Sequence, residues 1–177
     1  MTRHEKSWPD QARSFIGYCL SEPLYRLFSL VPHLEIGLST HEISRLTYAH
    51  SLLAGRRAVH LSDLHLDRYQ PRHDRVVATI GELRPDWIFI TGDLINVPEG
   101  LPHVFRFLAG LREIAPVFIT LGNHDHYSGV PIDRYCELAD RHKITLLINQ
   151  TTFIRTDCGE IAIVGVDDPS LHRADLS

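Results

Sequence analysis

Cysteine is scarce in this chain and carries no pattern. Cys19, Cys136 and Cys158 are odd in number, far apart and form no C-x-x-C. That excludes a disulfide framework and a zinc knuckle, and it favours a reducing, cytoplasmic setting. Excess basic charge is absent too. The formal net charge is -4, so no positive field is available to attract nucleic acid. No apolar run is long enough to cross a bilayer. The most apolar early stretch, residues 15–31, is interrupted by Glu22, Pro23 and Arg26. It is expected either to pack on the domain as a helix or to make peripheral membrane contact through an amphipathic face. The polar start, Met1 to Asp10, lacks the apolar core and cleavage site of a signal peptide. Internal repeats and low-complexity segments are also lacking.

What remains is ordinary soluble composition, with 44% hydrophobic and 23% charged residues. The length suits one domain with a substantial core. We expect an N-terminal helical or extended extension over residues 1–40, with one or two short helices in 11–32 broken at Pro23. The domain proper is expected over 41–177. Partial alternation at Ile43, Leu46 and Tyr48 suggests a first edge strand within 41–50. Strands are expected at 57–61, 87–91, 117–121 and 144–147. Helical apolar spacing marks 74–83, 101–112 and 131–142. Residues 151–156 and 161–166, around Asp157-Cys158-Gly159-Glu160, read as a hairpin. Alternating strand and helix followed by a hairpin indicates an α/β layered domain with a mainly parallel sheet.

Three of these strands end in chemically rich loops: Ser62-Asp63-Leu64-His65, Gly92-Asp93 and Gly122-Asn123-His124-Asp125. Asp63 and Asp93 are 30 residues apart, and so are Asp93 and Asn123. That interval suits a strand-helix-strand unit, which sets successive strand ends side by side on one sheet edge. Carboxylate, imidazole and amide oxygen without thiolate suit divalent ions such as Mn, Fe or Zn. One carboxylate between two other ligand groups can bridge two ions, and a pair of ions can clamp a phosphate. The competing explanation is that Asp, Asn and Gly simply serve turns after strands.

The three motifs together resemble the signature of the calcineurin-like metallophosphoesterases: D-x-H, then G-D, then G-N-H-[DE]. The surrounding HLSDLHL, PDWIFITGDL, VFITLGNHDHYSG and IVGVDDP are similar to the bacterial branch, over roughly residues 55–169. The resemblance implies a four-layer α/β/β/α sandwich, incomplete here at the C-terminus. It implies that Asp63 and His65 hold a first metal, that Asp93 bridges, and that Asn123 holds a second. His124 would act on the substrate as general acid or charge stabiliser. The implied activity is hydrolysis of phosphoric esters by metal-activated water at a two-metal site. The implied partner is a phosphoester substrate, small or lipid-linked.

The same resemblance implies further histidines beyond Gly165-Val166-Asp167-Asp168-Pro169, including a G-H-x-H segment. His172 is the one histidine after Asp168 within these 177 residues, and it lacks a strand-end setting. Activity of this stretch alone is therefore expected to be impaired. The alternative is a non-catalytic fragment or remnant that binds a metal or partner without turnover. A separate chain that completes the site is a third possibility. Family members often carry an Asp that orients the catalytic histidine where Asn96 stands here, so Asn96 is either an amide substitute or a plain loop residue. His126 and Tyr127 either line the pocket or belong to the loop. The scattered histidines, among them His50, His60, His73, His103 and His142, are expected at the surface or as satisfied core groups.

Overall fold

The computed structural model describes residues 43–175, and the fold below is that of the unit Leu46–Ser177. The helices expected in 11–32, and with them the amphipathic stretch 15–31, lie outside the described residues. Four strands, β1 (Ala58–Ser62), β2 (Trp87–Thr91), β3 (Val117–Thr120) and β4 (Thr145–Leu146), form one parallel sheet in the order β1-β2-β3-β4. The connecting helices are α1 (Pro71–Leu83), α2 (Leu101–Arg112) and α4 (Ile132–His142), with a short α3 (Asn123–Tyr127) directly after β3. An antiparallel hairpin, β5 (Gln150–Thr156) and β6 (Gly159–Gly165), makes a second sheet.

The two sheet faces bury different side chains because strand residues alternate. Ile88 and Ile90 of β2 pair in register with Val117 and Ile119 of β3. They pack with Val104, Phe105, Leu108 and Leu111 of α2 and Tyr135, Leu138 and Ala139 of α4 in the main core. The opposite face presents Trp87 and Phe118, which with Leu147 receive Ile154, Ile161 and Ile163 of the hairpin. Phe89 and Phe118 stack there at 5.3 Å between ring centres. The result is helices, parallel sheet and hairpin sheet as three successive layers.

Local chemistry sets the element ends. Pro71 opens α1 three residues before the expected start, because its fixed φ and missing N–H suit a first helical position. The imidazole Nδ1 of His73 accepts from Gln70 N–H at 2.9 Å, completing that cap. Arg84 and Lys143, both left-handed, end α1 and α4. The hairpin turn is tighter than the four-residue turn expected, since Thr156 pairs with Gly159 and leaves Asp157 and Cys158 at the tip. Arg56 donates to Asp86 at 2.9 Å and to Asp157 at 2.8 Å, tying that tip to the start of β1.

One expected element is corrected. Residues 43–50 form no strand, and Ile43, Leu46 and Tyr48 are 48%, 77% and 78% exposed. Alternation is a strand signal only when one face is buried and a neighbour receives the backbone hydrogen bonds. Neither holds here, and β1 itself forms the sheet edge.

Candidate metal centre

Strands β1 and β2 end in loops where the chain reverses sharply, whereas β3 passes through Gly122 directly into α3. Asp63, His65 and Asp93 adopt left-handed backbone angles, φ 53°, 42° and 53°. Such conformations cost on the order of 1–3 kcal/mol each for residues with a Cβ and gather where function requires them. Asp and His tolerate them better than most residues. The reversals gather the three side chains: one ligand atom from each of Asp63, His65 and Asp93 lies within 4.8 Å of the others. Two carboxylates this close repel one another in the absence of a cation, and with an imidazole they match the donor set of a divalent transition ion. The residues present therefore fit a metal ion.

Backbone contacts lock the loops together. His65 N–H donates to Asp93 O at 2.9 Å, and Leu66 N–H to Leu94 O at 2.8 Å. His124 N–H donates to the Asp93 carboxylate at 3.0 Å. The two motif glycines make this approach possible. Gly92 has φ 72°, and a Cβ on it would lie 2.9 Å from Gly122 Cα. A Cβ on Gly122 would lie 2.6 Å from Asp93 N. The Asp93 and Asn123 loops thus cross backbone to backbone, which only glycine at both positions allows.

Asn123 lines the same cleft as Asp93. This space of about 340 Å³ is bounded also by Thr91 and Thr120 at the strand ends and by Asp167 and Asp168 after β6. The His124 ring stands edge-on to the His65 ring at 4.8 Å between centres, with an interplanar angle of 83°. The structure thus brings Asp63, His65 and Asp93 together, seats Asn123 beside Asp93, and sets His124 against His65. His172 lies outside this cluster; its backbone N–H donates to Pro169 O at 3.1 Å.

Matching this geometry, the calcineurin-like phosphoesterase family matches residues 56–161. The chain belongs to this family. It is 33% identical over 152 residues to an uncharacterized metallophosphoesterase, YkuE, of Bacillus subtilis, covering 82% of this chain and 52% of that one. It is 32% identical over 130 residues to the phosphodiesterase YaeI of Escherichia coli, covering 70% and 48% respectively. It is 38% identical over 93 residues to the UDP-2,3-diacylglucosamine pyrophosphatase LpxG of Chlamydia trachomatis, covering 49% and 27%. The chain spans about half the length of the curated relatives it matches. As in other calcineurin-like phosphoesterases, the fold is mixed α/β around a parallel sheet.

In this calcineurin-like chain, several residues behind the ligands were not read as functional from the sequence. Asp125 is fully buried, and its carboxylate accepts from Gly122 N–H at 2.9 Å, Leu94 N–H at 3.0 Å and Ile95 N–H at 3.2 Å. It clips the loop bearing Asp93 to the loop bearing Asn123. Burial pushes its carboxyl above the usual range, while those three amide donors pull back against the rise. The last acid of G-N-H-[DE] was the available signal. His126 Nε2 meets Asp167 Oδ1 at 2.7 Å, with both side chains nearly inaccessible. That pair anchors α3 to the segment after β6, so His126 is a held, buried side chain rather than a free loop one. Asn96 is more than a plain loop residue. Its amide does meet an imidazole, but that of His65, at 2.8 Å from Nδ1. The reason is geometric: the Asp93 loop is zipped to the His65 loop along its backbone, which carries Asn96 to His65.

Among the described residues, several of the scattered histidines have local partners. His60 meets the Thr91 hydroxyl at 2.7 Å, and His142 packs on Phe105. Among the described residues, Cys136 and Cys158 are free thiols, and no helix is long and apolar enough to cross a membrane.

Proposed function

We propose that this chain forms the phosphoester-cleaving centre of a metal-dependent hydrolase. The observation that carries the proposal is the convergence of Asp63, His65 and Asp93, three left-handed residues in the loops after β1 and β2, on one sheet edge. Asp63 and His65 would hold one ion, Asp93 would bridge, and Asn123 would contribute to a second; Mn, Fe and Zn all suit this donor set. When bound, such ions supply positive charge for phosphate oxygens and acidity for water.

The protein's own groups do the rest. Asp93 is held in place by the His124 amide and by the glycine crossing, so its carboxylate is oriented before any ion arrives. His124 stands edge-on against the His65 ring, from where it would protonate the leaving oxygen or stabilise charge that develops there. Thr91 and Thr120 line the cleft. The substrate class that fits is a phosphodiester or a lipid-linked pyrophosphate, in keeping with what the named relatives cleave.

A second reading has its own support. Among the described residues, the acidic and imidazole donors gathered in one place number three, fewer than a pair of tightly held ions requires. These residues alone would then bind metal with little turnover. The test is hydrolysis of bis-p-nitrophenyl phosphate by the 177-residue chain in Mn²⁺, with and without chelator. Chelator-sensitive turnover that disappears in Asp93→Asn supports the enzyme reading. Metal uptake with no turnover supports the second. Turnover unaffected by chelator would refute both.

A further inference from the structure

Behind His65 lies a polar chain whose proton positions follow from one end. Asp67 accepts at 2.7 Å from Asn96 N–H and at 3.2 Å from Val97 N–H through Oδ1, and its Oδ2 lies 2.8 Å from the Asn96 amide nitrogen. Asn96 Oδ1 lies 2.8 Å from His65 Nδ1. An ionised carboxylate can only accept. The Asn96 amide must therefore turn its NH2 toward Asp67, because the flipped amide would set two oxygens against each other. Its oxygen is then committed to His65, and an amide oxygen also only accepts. His65 must supply the proton from Nδ1, leaving the lone pair on Nε2.

We infer that Asp67 and Asn96 are positioning residues that fix His65 as the Nδ1–H tautomer, so that Nε2 is the atom offered to the metal. The inference rests on the metal-centre reading above. Histidines that bind metals generally donate their second ring N–H to a partner that sets tautomer and ring plane. Here the partner is an amide, and the carboxylate behind it sets the amide. The arrangement also has reach: fixing the His65 plane fixes the surface on which the His124 ring rests edge-on. Asn96 thereby acts on the site through His65 rather than by pairing with His124.

The experiment is ¹⁵N NMR of His65 in the metal-free chain, paired with Mn²⁺ titration calorimetry, for wild type and three variants. Asn96→Ala and Asp67→Ala should lose the single Nδ1–H signature and bind Mn²⁺ about 10–100-fold more weakly. The double exchange Asp67→Asn with Asn96→Asp reverses the donor order, since an amide at 67 can donate to a carboxylate at 96 that still accepts from Nδ1–H. It should restore both the tautomer and most of the affinity, whereas Asn96→Asp alone sets two carboxylates face to face and should not. Thermal unfolding of each variant separates misfolding from local loss. A wild-type His65 protonated at Nε2, or an Asn96→Ala variant with unchanged Mn²⁺ affinity, overturns the inference. A wild type with the Nδ1–H signature but no Mn²⁺ binding would uphold the tautomer assignment and overturn the metal centre.

Discussion

Asp125→Ala should damage this protein more than any exposed substitution. The side chain has no solvent-accessible surface and serves three backbone N–H groups, those of Leu94, Ile95 and Gly122. Leaving a buried donor unsatisfied costs about 1–3 kcal/mol, so three set a gross loss of roughly 3–9 kcal/mol. Two effects offset it. The variant no longer buries a carboxylate whose ionised form is penalised by desolvation, and water can enter the space vacated. A net loss of about 2–6 kcal/mol follows if these offsets together are worth about one unsatisfied group. For a chain of this size that is a fall in Tm of roughly 4–24 °C, at about 2–4 °C per kcal/mol. Asp125→Asn keeps one acceptor oxygen and turns an NH2 toward the remaining donors, so it should lose about 1–3 kcal/mol. Urea denaturation read by circular dichroism gives both numbers, with an unchanged m-value as the check on two-state behaviour. A loss below about 1 kcal/mol in Asp125→Ala would show that the loops do not depend on this carboxylate.

Other substitutions separate the parts of the site. His124→Ala should leave bound metal unchanged and lower any phosphoesterase turnover by about 10²–10⁴-fold, as for removal of a positioned acid; a parallel loss of metal would make His124 a ligand instead. Gly122→Ala places a Cβ against the Asp93 backbone and carboxylate, so Mn²⁺ affinity should fall even where the fold survives. Calorimetry showing wild-type affinity would refute the crossing argument. On the acid side, Asp86 is held below the usual carboxylate range by the Arg57 backbone N–H, helped by the Arg56 guanidinium. Its contribution to stability is therefore full above the unfolded-state pKa and is lost as pH falls through the lower folded value. Asp86→Asn should be less stable than wild type at neutral pH, with the gap narrowing toward strongly acid pH; a gap constant with pH would contradict this.

The layered order of the fold was legible because periodicity and punctuation agreed. The spacing of Leu101, Val104, Phe105, Leu108 and Leu111 matched a helix whose bounds came out as expected, and Trp87–Thr91 did the same for a strand. The ligand turns were legible as motifs, but their left-handed backbone was not. Nothing in the letters Asp63 or His65 distinguishes a strained turn from an ordinary one. The segment 43–50 misled because alternation without a burying neighbour carries no strand information. For Asn96 the motif position leaves two roles open, an amide substitute that orients the catalytic histidine or a plain loop residue. Its actual partner depends on hydrogen bonding between two loops about thirty residues apart, which spacing cannot resolve. Asp67 and Asp167 escaped notice for the same reason: each acts across chain segments, on Asn96 and on His126 respectively.

The most direct test of the central claim is the metal content of chain purified without chelator, set beside an Asp93→Asn variant prepared identically. The site as described predicts at least one equivalent of a divalent transition ion in wild type and a clear loss in Asp93→Asn, with both proteins folded by circular dichroism. Equal and negligible metal in the two, persisting after dialysis against Mn²⁺, would contradict the account of Asp63, His65 and Asp93 as a metal centre.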